Sequence, residues 1–251
     1  MAGLACMCAA MAGRAQADEA TRGLLTITFD DANWTQYRHG LPIMREYGVP
    51  GTLFVISGRA NEAERKRRAW GMTWAQVAEF RDAGWEIGSH SVSHPSLPGI
   101  SDAEILRELE EAGTDIEQHL QQRPVSFASP FGDYDARTLA LIRQHYAYHV
   151  LAWGGTEGRN LIGGTDPGRI GRMQIDLTVN PDAVCAEMRR AAERKIWLVL
   201  MFHGFSVADA GPYETPTATL RDIAACAAQL RESGRLNIVT LRDGIALAAA
   251  R

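Results

Sequence analysis

Apolar runs of strand length alternate with amphipathic helical patterns along nearly the whole chain, and no other feature limits the fold as strongly. Strands separated by helices pair in parallel through right-handed crossovers. The strand-like runs are Leu24 to Phe29, Pro50 to Val55, Trp85 to Gly88, Val125 to Ala128 and Tyr148 to Ala152, then a short one around Arg172 to Ile175, Trp197 to Phe202 and Leu236 to Thr240. The helical patterns carry their own punctuation. Gly48 stops a helix over Thr35 to Tyr47, Thr73 and Ser101 open capping boxes, and Asn180 caps a helix with Pro181 in its first turn. Further helices run over Ala136 to Gln144 and Thr217 to Ser233, the latter stopped by Gly234. The charged excursion 61–70 reads as a solvated helix or loop rather than an anion site, and Gly154 to Asp166 as a surface loop. Seven or eight strand–helix units predict an α/β barrel, with its chemistry at the C-terminal ends of the strands.

A chain of 251 residues suits one large domain, expected over 18–251. Residues 1–17 read as an export signal: Leu4 to Ala12 is a small apolar run, and Ala15-Gln16-Ala17 is an A-x-A cleavage pattern. The expected location is therefore periplasmic or extracellular. Removing the leader takes Cys6 and Cys8 and leaves Cys185 and Cys226, both in Ala-rich helical stretches. An oxidising compartment permits a bond between them, but two buried free thiols are the expectation. A net charge of −4 argues against nucleic acid as partner, and no apolar run reaches membrane-spanning length. A monomer is expected.

The unusual residues fall just after strands. Asp30 and Asp31 close the first run, and adjacent carboxylates there repel each other and lose solvation unless a cation neutralises them. His90 and His94 follow the third run, and a helical turn would aim both imidazoles the same way, which is ligand spacing. Pro130-Phe-Gly132 follows the fourth, Arg169 and Arg172 follow the fifth through the long loop, and His203 follows the Trp197 to Phe202 run. Two imidazoles and one carboxylate would leave a divalent ion with open positions, as catalytic sites do.

Four ordered segments, Thr28-Phe-Asp-Asp31, His90-Ser-Val-Ser-His94, Phe127-Ala-Ser-Pro-Phe-Gly132 and Leu200-Met-Phe-His203, resemble the motifs of polysaccharide deacetylases, the NodB-homology enzymes of carbohydrate esterase family four. The resemblance is collinear from about Leu24 to Thr240. It implies a distorted (β/α)7-type barrel and metal-dependent removal of acetyl groups from N-acetylated glycans. It assigns Asp31, His90 and His94 to one divalent metal, Zn²⁺ or another transition ion such as Co, Ni or Mn. Asp30 becomes the general base and His203 the acid, while the backbone N–H of Phe131 holds the oxyanion.

By the same resemblance Pro130 and Gly132 shape the substrate loop and Met201 walls the acetyl pocket. Trp34 and Trp153 would stack on sugar rings, whereas Trp85 and Trp197 are expected in the core. Two departures stand out. Ala32 occupies a position that is Gly in many relatives, and Ala128 replaces an Arg that usually pairs with the base. Arg172 is the candidate substitute, and the Arg-less motif resembles the branch acting on poly-N-acetylglucosamine. The alternatives are a carbohydrate-binding pseudoenzyme, or a metal-dependent hydrolase of O-acetyl esters or small non-sugar amides.

Overall fold

The structure is a computed structural model that describes residues 22–66, 70–152 and 158–249. Its centre is β1 (Gly23–Phe29), buried at every position. One edge of β1 pairs along its length with β8 (Trp197–Phe202), from Leu24↔Trp197 to Phe29↔Phe202. The other edge is shared by β11 (Leu236–Ile238) at its start and β2 (Thr52–Val55) at its end. From β2 the parallel sheet continues through β3 (Glu86–Ser89) and β4 (Ser126–Ala128) to β5 (Tyr148–Val150). The gap between β5 and β8 is spanned by a short segment: Ile170 bridges Val150, and β7 (Met173–Gln174) pairs in parallel with β8. The parallel sheet thereby curls toward the barrel that the strand–helix alternation predicts, in the distorted form that the resemblance implies.

Alternation along β1 sets what faces where. Leu25, Ile27 and Phe29 pack outward into the main core under the helices, whereas Leu24 joins the smaller cluster with Trp197 and Val199. Phe29 anchors an aromatic group with Trp85 at 4.7 Å and Phe205 at 4.9 Å between ring centroids. Trp197 is fully buried, its indole N–H donating to Thr26 Oγ1 at 3.0 Å.

The helices are α1 (Leu41–Glu46), α2 (Ser57–Lys66), α3 (Trp74–Asp82), α4 (Asp102–Leu120), α5 (Ala136–His145), α6 (Pro181–Arg194), α7 (Thr217–Glu232) and α8 (Leu241–Ala249). Both capping boxes form, with Thr73 and Ser101 each accepting from the amide three residues on. Four features depart from the expectation. The helix expected over Thr35 to Tyr47 opens with a π-helical turn, Gln36–Gly40, before α1. The stretch 154–166 contains β6 (Arg159–Asn160), antiparallel to β8, where the buried Asn160 carboxamide bonds the carbonyls of Gly158, Gly171 and Trp197. Beyond β8, β9 (Gly204–Ser206) and β10 (Glu214–Pro216) form a separate pair, and α8 follows the last strand. The expected leader, 1–17, lies outside the described residues.

The fourth departure is covalent. Cys185 on α6 and Cys226 on α7 form a disulfide, Cα–Cα 6.0 Å, rather than two free thiols. The pattern placed both on buried helix faces but could not show that those faces touch. Cross-linking positions 41 apart restricts the unfolded chain and stabilises the fold by about 4 kcal/mol. Replacing both by Ala is expected to lower Tm by about 10 °C, which differential scanning calorimetry would read. An unchanged Tm would show that the bond carries no stability.

Candidate active site

Of the predicted site residues within the described chain, all but Arg172 and Pro130 line one cleft of about 860 Å³ at the C-terminal mouth of the barrel. Simple alternation would send Asp30 and Asp31 to opposite faces of β1. The chain avoids this by entering left-handed backbone at Asp31 (φ 82) and Ala32 (φ 52), which turns both carboxylates into the cleft. Ala32 thus adopts a conformation that glycine takes without strain, at about 1–2 kcal/mol for a residue with a Cβ.

Asp30 is buried and held by a bidentate pair from Arg172, Nη1–Oδ1 2.6 Å and Nη2–Oδ2 2.8 Å. Arg172 is locked in turn, with Nε donating to the Leu151 carbonyl and Nη1 also to Thr28 Oγ1. Burial alone would push the Asp30 carboxyl up. The charge and hydrogen bonds of Arg172 outweigh it and hold the group at about 2. Asp31 has no such bidentate partner, and burial raises it above the ordinary carboxylate range. Ala128 offers its carbonyl to His90 Nδ1 at 2.7 Å. A carbonyl only accepts, so the ring proton sits on Nδ1 and the Nε2 lone pair points at the carboxylates.

His90 and His94 do not lie on a helical turn. Ser91 (φ 64) and His94 (φ 62) are left-handed, and the two imidazoles are brought together by a loop. The loop is clamped by Glu108 of α4, buried, which accepts from the amides of Val92 (2.9 Å) and Ser93 (2.8 Å) and from the Ser93 hydroxyl (2.7 Å). Sequence reasoning missed Glu108, which reads there as one more helix carboxylate. Burial drives His90 down to about 3. Burial and the Arg59 charge drive His94 to about 4, so both rings are neutral at physiological pH.

His90 Nε2, His94 Nε2 and Asp31 Oδ1 lie within 4.8 Å of one another. The imidazole nitrogens are 3.2 Å apart, and Oδ1 is 3.8 and 3.7 Å from them. Ligands bound tetrahedrally at about 2.0–2.1 Å stand roughly 3.3 Å apart, so this donor set fits a divalent transition ion. Two neutral imidazoles and one carboxylate also match the chemistry such ions prefer.

His203 follows β8 and faces the same cleft. Its carbonyl and that of Asp30 both accept from the Gln36 amide, at 2.7 and 2.5 Å. The Asp30 N–H, bonded to Phe202, is the last rung between the two strands, and Gln36 supplies the next one. Gln36, fully buried at the start of the π-helical turn, is a second residue that sequence reasoning missed.

Pro130 and Gly132 are buried, while Phe131 is left-handed (φ 58) and exposed, its ring 4.5 Å from that of His94. Met201 and Trp34 line the cleft, Met201 buried and Trp34 exposed. Trp153 lies outside the described residues.

A family model described as polysaccharide deacetylase matches residues 17–150, just over half of the chain. The chain belongs to the polysaccharide deacetylase family. Over 127 residues this family member is 24% identical to the poly-beta-1,6-N-acetyl-D-glucosamine N-deacetylase of Staphylococcus aureus (strain MSSA476), covering 47% of this chain and 43% of that one. It spans less than half the length of the curated relatives it matches. Its fold is that of the family 4 carbohydrate esterase from Streptomyces lividans, with TM-score 0.59 and 19% identity over 88% of this chain and 95% of that one. The Streptococcus pyogenes deacetylase PplD is similar too, with TM-score 0.52 and 25% identity over 60% and 63% of the two chains. No helix among the described residues is long and apolar enough to cross a membrane.

Proposed function

We propose that this chain is a metal-dependent hydrolase that removes acetyl groups from N-acetylated glycans of the GlcNAc type. The observation that carries the reading is the convergence in one cleft of an ionised, arginine-paired carboxylate, a three-residue ligand set and an imidazole on the neighbouring strand end. A divalent ion held by Asp31, His90 and His94, Zn²⁺ in the simplest case, supplies Lewis acidity, which lowers the pKa of water and polarises an acetyl carbonyl.

The residues divide the remaining work. Asp30 accepts the proton of the attacking water. Arg172 keeps Asp30 ionised and aimed, at the expense of some basicity. The Phe131 N–H stabilises the oxyanion as the carbonyl carbon becomes tetrahedral. His203 gives a proton to the departing sugar amine, and Gln36 fixes its spacing from Asp30 through the two main-chain carbonyls. Met201 packs the acetyl methyl, Pro130 and Gly132 shape the loop carrying Phe131, and Trp34 offers a face to a sugar ring.

The same reading places the enzyme outside the cytoplasm, as a single domain following its leader. The Cys185–Cys226 bond supports this, because disulfides persist in oxidising compartments. His90→Ala is expected to weaken metal binding at least a hundredfold and remove acetate release, while the fold persists. Metal titration, acetate release from N-acetylated oligosaccharides with and without chelator, and circular dichroism check the three parts. Acetate release that chelation leaves intact would exclude the mechanism.

A further inference from the structure

One wall of the cleft carries a cation that the deacetylation chemistry above does not use. Arg59, near the start of α2, lies with its guanidinium 4.5 Å from the centroid of the Trp70 ring. Its Nη1 is 3.9 Å from Asp31 Oδ1, too far for a hydrogen bond, and the side chain is 40% exposed. Among the described residues the guanidinium donates no hydrogen bond, although it carries five N–H donors. Glu62, the other acid on that wall, is paired with Lys66.

The stack is fixed by the backbone beside the acid pair. Trp34 N–H donates to the Trp70 carbonyl at 2.8 Å and Met72 N–H to the Ala32 carbonyl at 2.9 Å, with Asn33 and Gly71 bridged between them. Arg59 and Trp70 also line a second recess of about 370 Å³, so the stack stands between the cleft and this extension. Asp31 Oδ1, the carboxylate oxygen with which Arg59 pairs among the described residues, is also the oxygen turned toward the two histidines. An ion bound there takes up that negative charge and leaves a guanidinium close to a dication, an arrangement that is repulsive until a further anion arrives. A planar fork, immobilised on an aromatic face with its donors open, is suited to two-point binding of a carboxylate.

We propose that Arg59, held on Trp70, receives a carboxylate carried by the glycan next to its acetamido group, so that the cleft prefers acidic N-acetylated glycans to neutral ones. This rests on the deacetylase reading for the class of ligand. The carboxylate has two chemical sources, a hexuronate ring joined to the acetamido sugar or a lactyl ether on a hexosamine.

The experiment measures dissociation constants by calorimetry, using the full chain as Asp30→Asn loaded with Zn²⁺, so that binding is read without turnover. The probes are three tetrasaccharides: one alternating uronate with N-acetylhexosamine, one alternating N-acetylglucosamine with its lactyl ether, and neutral N-acetylchitotetraose. At least one acidic probe is expected to bind tenfold or more tightly than the neutral one, with the advantage shrinking as salt is raised. Adding Arg59→Gln should bring the acidic and neutral constants to within about threefold. Adding Arg59→Lys should restore only part of the difference, since it keeps the charge and loses the fork. Whichever acidic probe binds more tightly identifies the source of the carboxylate.

Equal binding of all three probes, failure of both acidic probes to bind, or a preference that survives Arg59→Gln would overturn the proposal. So would tighter Zn²⁺ binding in Arg59→Gln with the sugar preference unchanged, because Arg59 would then serve Asp31 alone. Acetate release by the wild-type chain judges the deacetylase reading separately.

Discussion

Asp30→Asn is expected to lower the rate of acetate release by about three orders of magnitude, the scale of a lost general base, while the protein still binds one metal ion. The substitution preserves shape, and Asp31, His90 and His94 keep their positions. It also has a cost in stability that follows from the pairing with Arg172. Two guanidinium N–H groups meet two carboxylate oxygens. Asparagine offers one oxygen and turns its NH₂ toward the other donor, leaving a buried clash worth about 1–3 kcal/mol. Single-turnover acetate release, metal analysis and thermal melting together separate these effects. Turnover within tenfold of wild type would remove Asp30 from the role of base.

Arg172→Met is expected to have the second-largest effect, in stability and in the pH–rate profile together. The pair is almost fully buried, with side-chain exposures of 0% for Arg172 and 3% for Asp30. Removing one partner of such a pair leaves an uncompensated charge, at a cost of about 3–5 kcal/mol. The sign for Asp30 follows from linkage. Its carboxyl is depressed in the folded protein, so it contributes stability above the ordinary carboxylate pKa and loses it as pH falls toward about 2. Without Arg172 the burial effect dominates and the pKa rises. The acidic limb of the rate profile therefore moves to higher pH, and part of the stability gained above pH 4 disappears. Rates and melting temperatures measured between pH 4 and pH 8 test both consequences. An acidic limb that stays in place would show that Arg172 does not tune Asp30.

Much of this architecture is legible in the chain itself, for local reasons. β8 runs over Trp197–Phe202 as its apolar pattern indicates, and Thr73, Ser101 and Asn180 cap the helices they precede. Arg172 is legible through the resemblance alone, which leads one to expect an arginine where Ala128 stands and so points to a substitute cation elsewhere. What escapes the sequence is long-range or depends on unusual backbone. The spacing of His90 and His94 suggests a helical turn, but the loop is shaped by left-handed residues and by Glu108, which belongs to another element. Gln36 acts through two carbonyls, one of them 167 positions away, and no periodicity marks such a contact. β6 is two residues long and exists because β8 has an open edge, while Cys185 and Cys226 meet only because α6 packs on α7.

The clamp made by Glu108 has a consequence for how the protein is loaded. Three hydrogen bonds to the Glu108 carboxylate brace the segment that carries His94. On the metal-dependent reading proposed above, a divalent ion would dock on a cradle already braced by protein groups, and little of its binding energy would go to ordering that segment. On the same reading, protein treated with chelator is expected to stay folded and to take up a divalent ion added afterwards, which circular dichroism and metal titration would read.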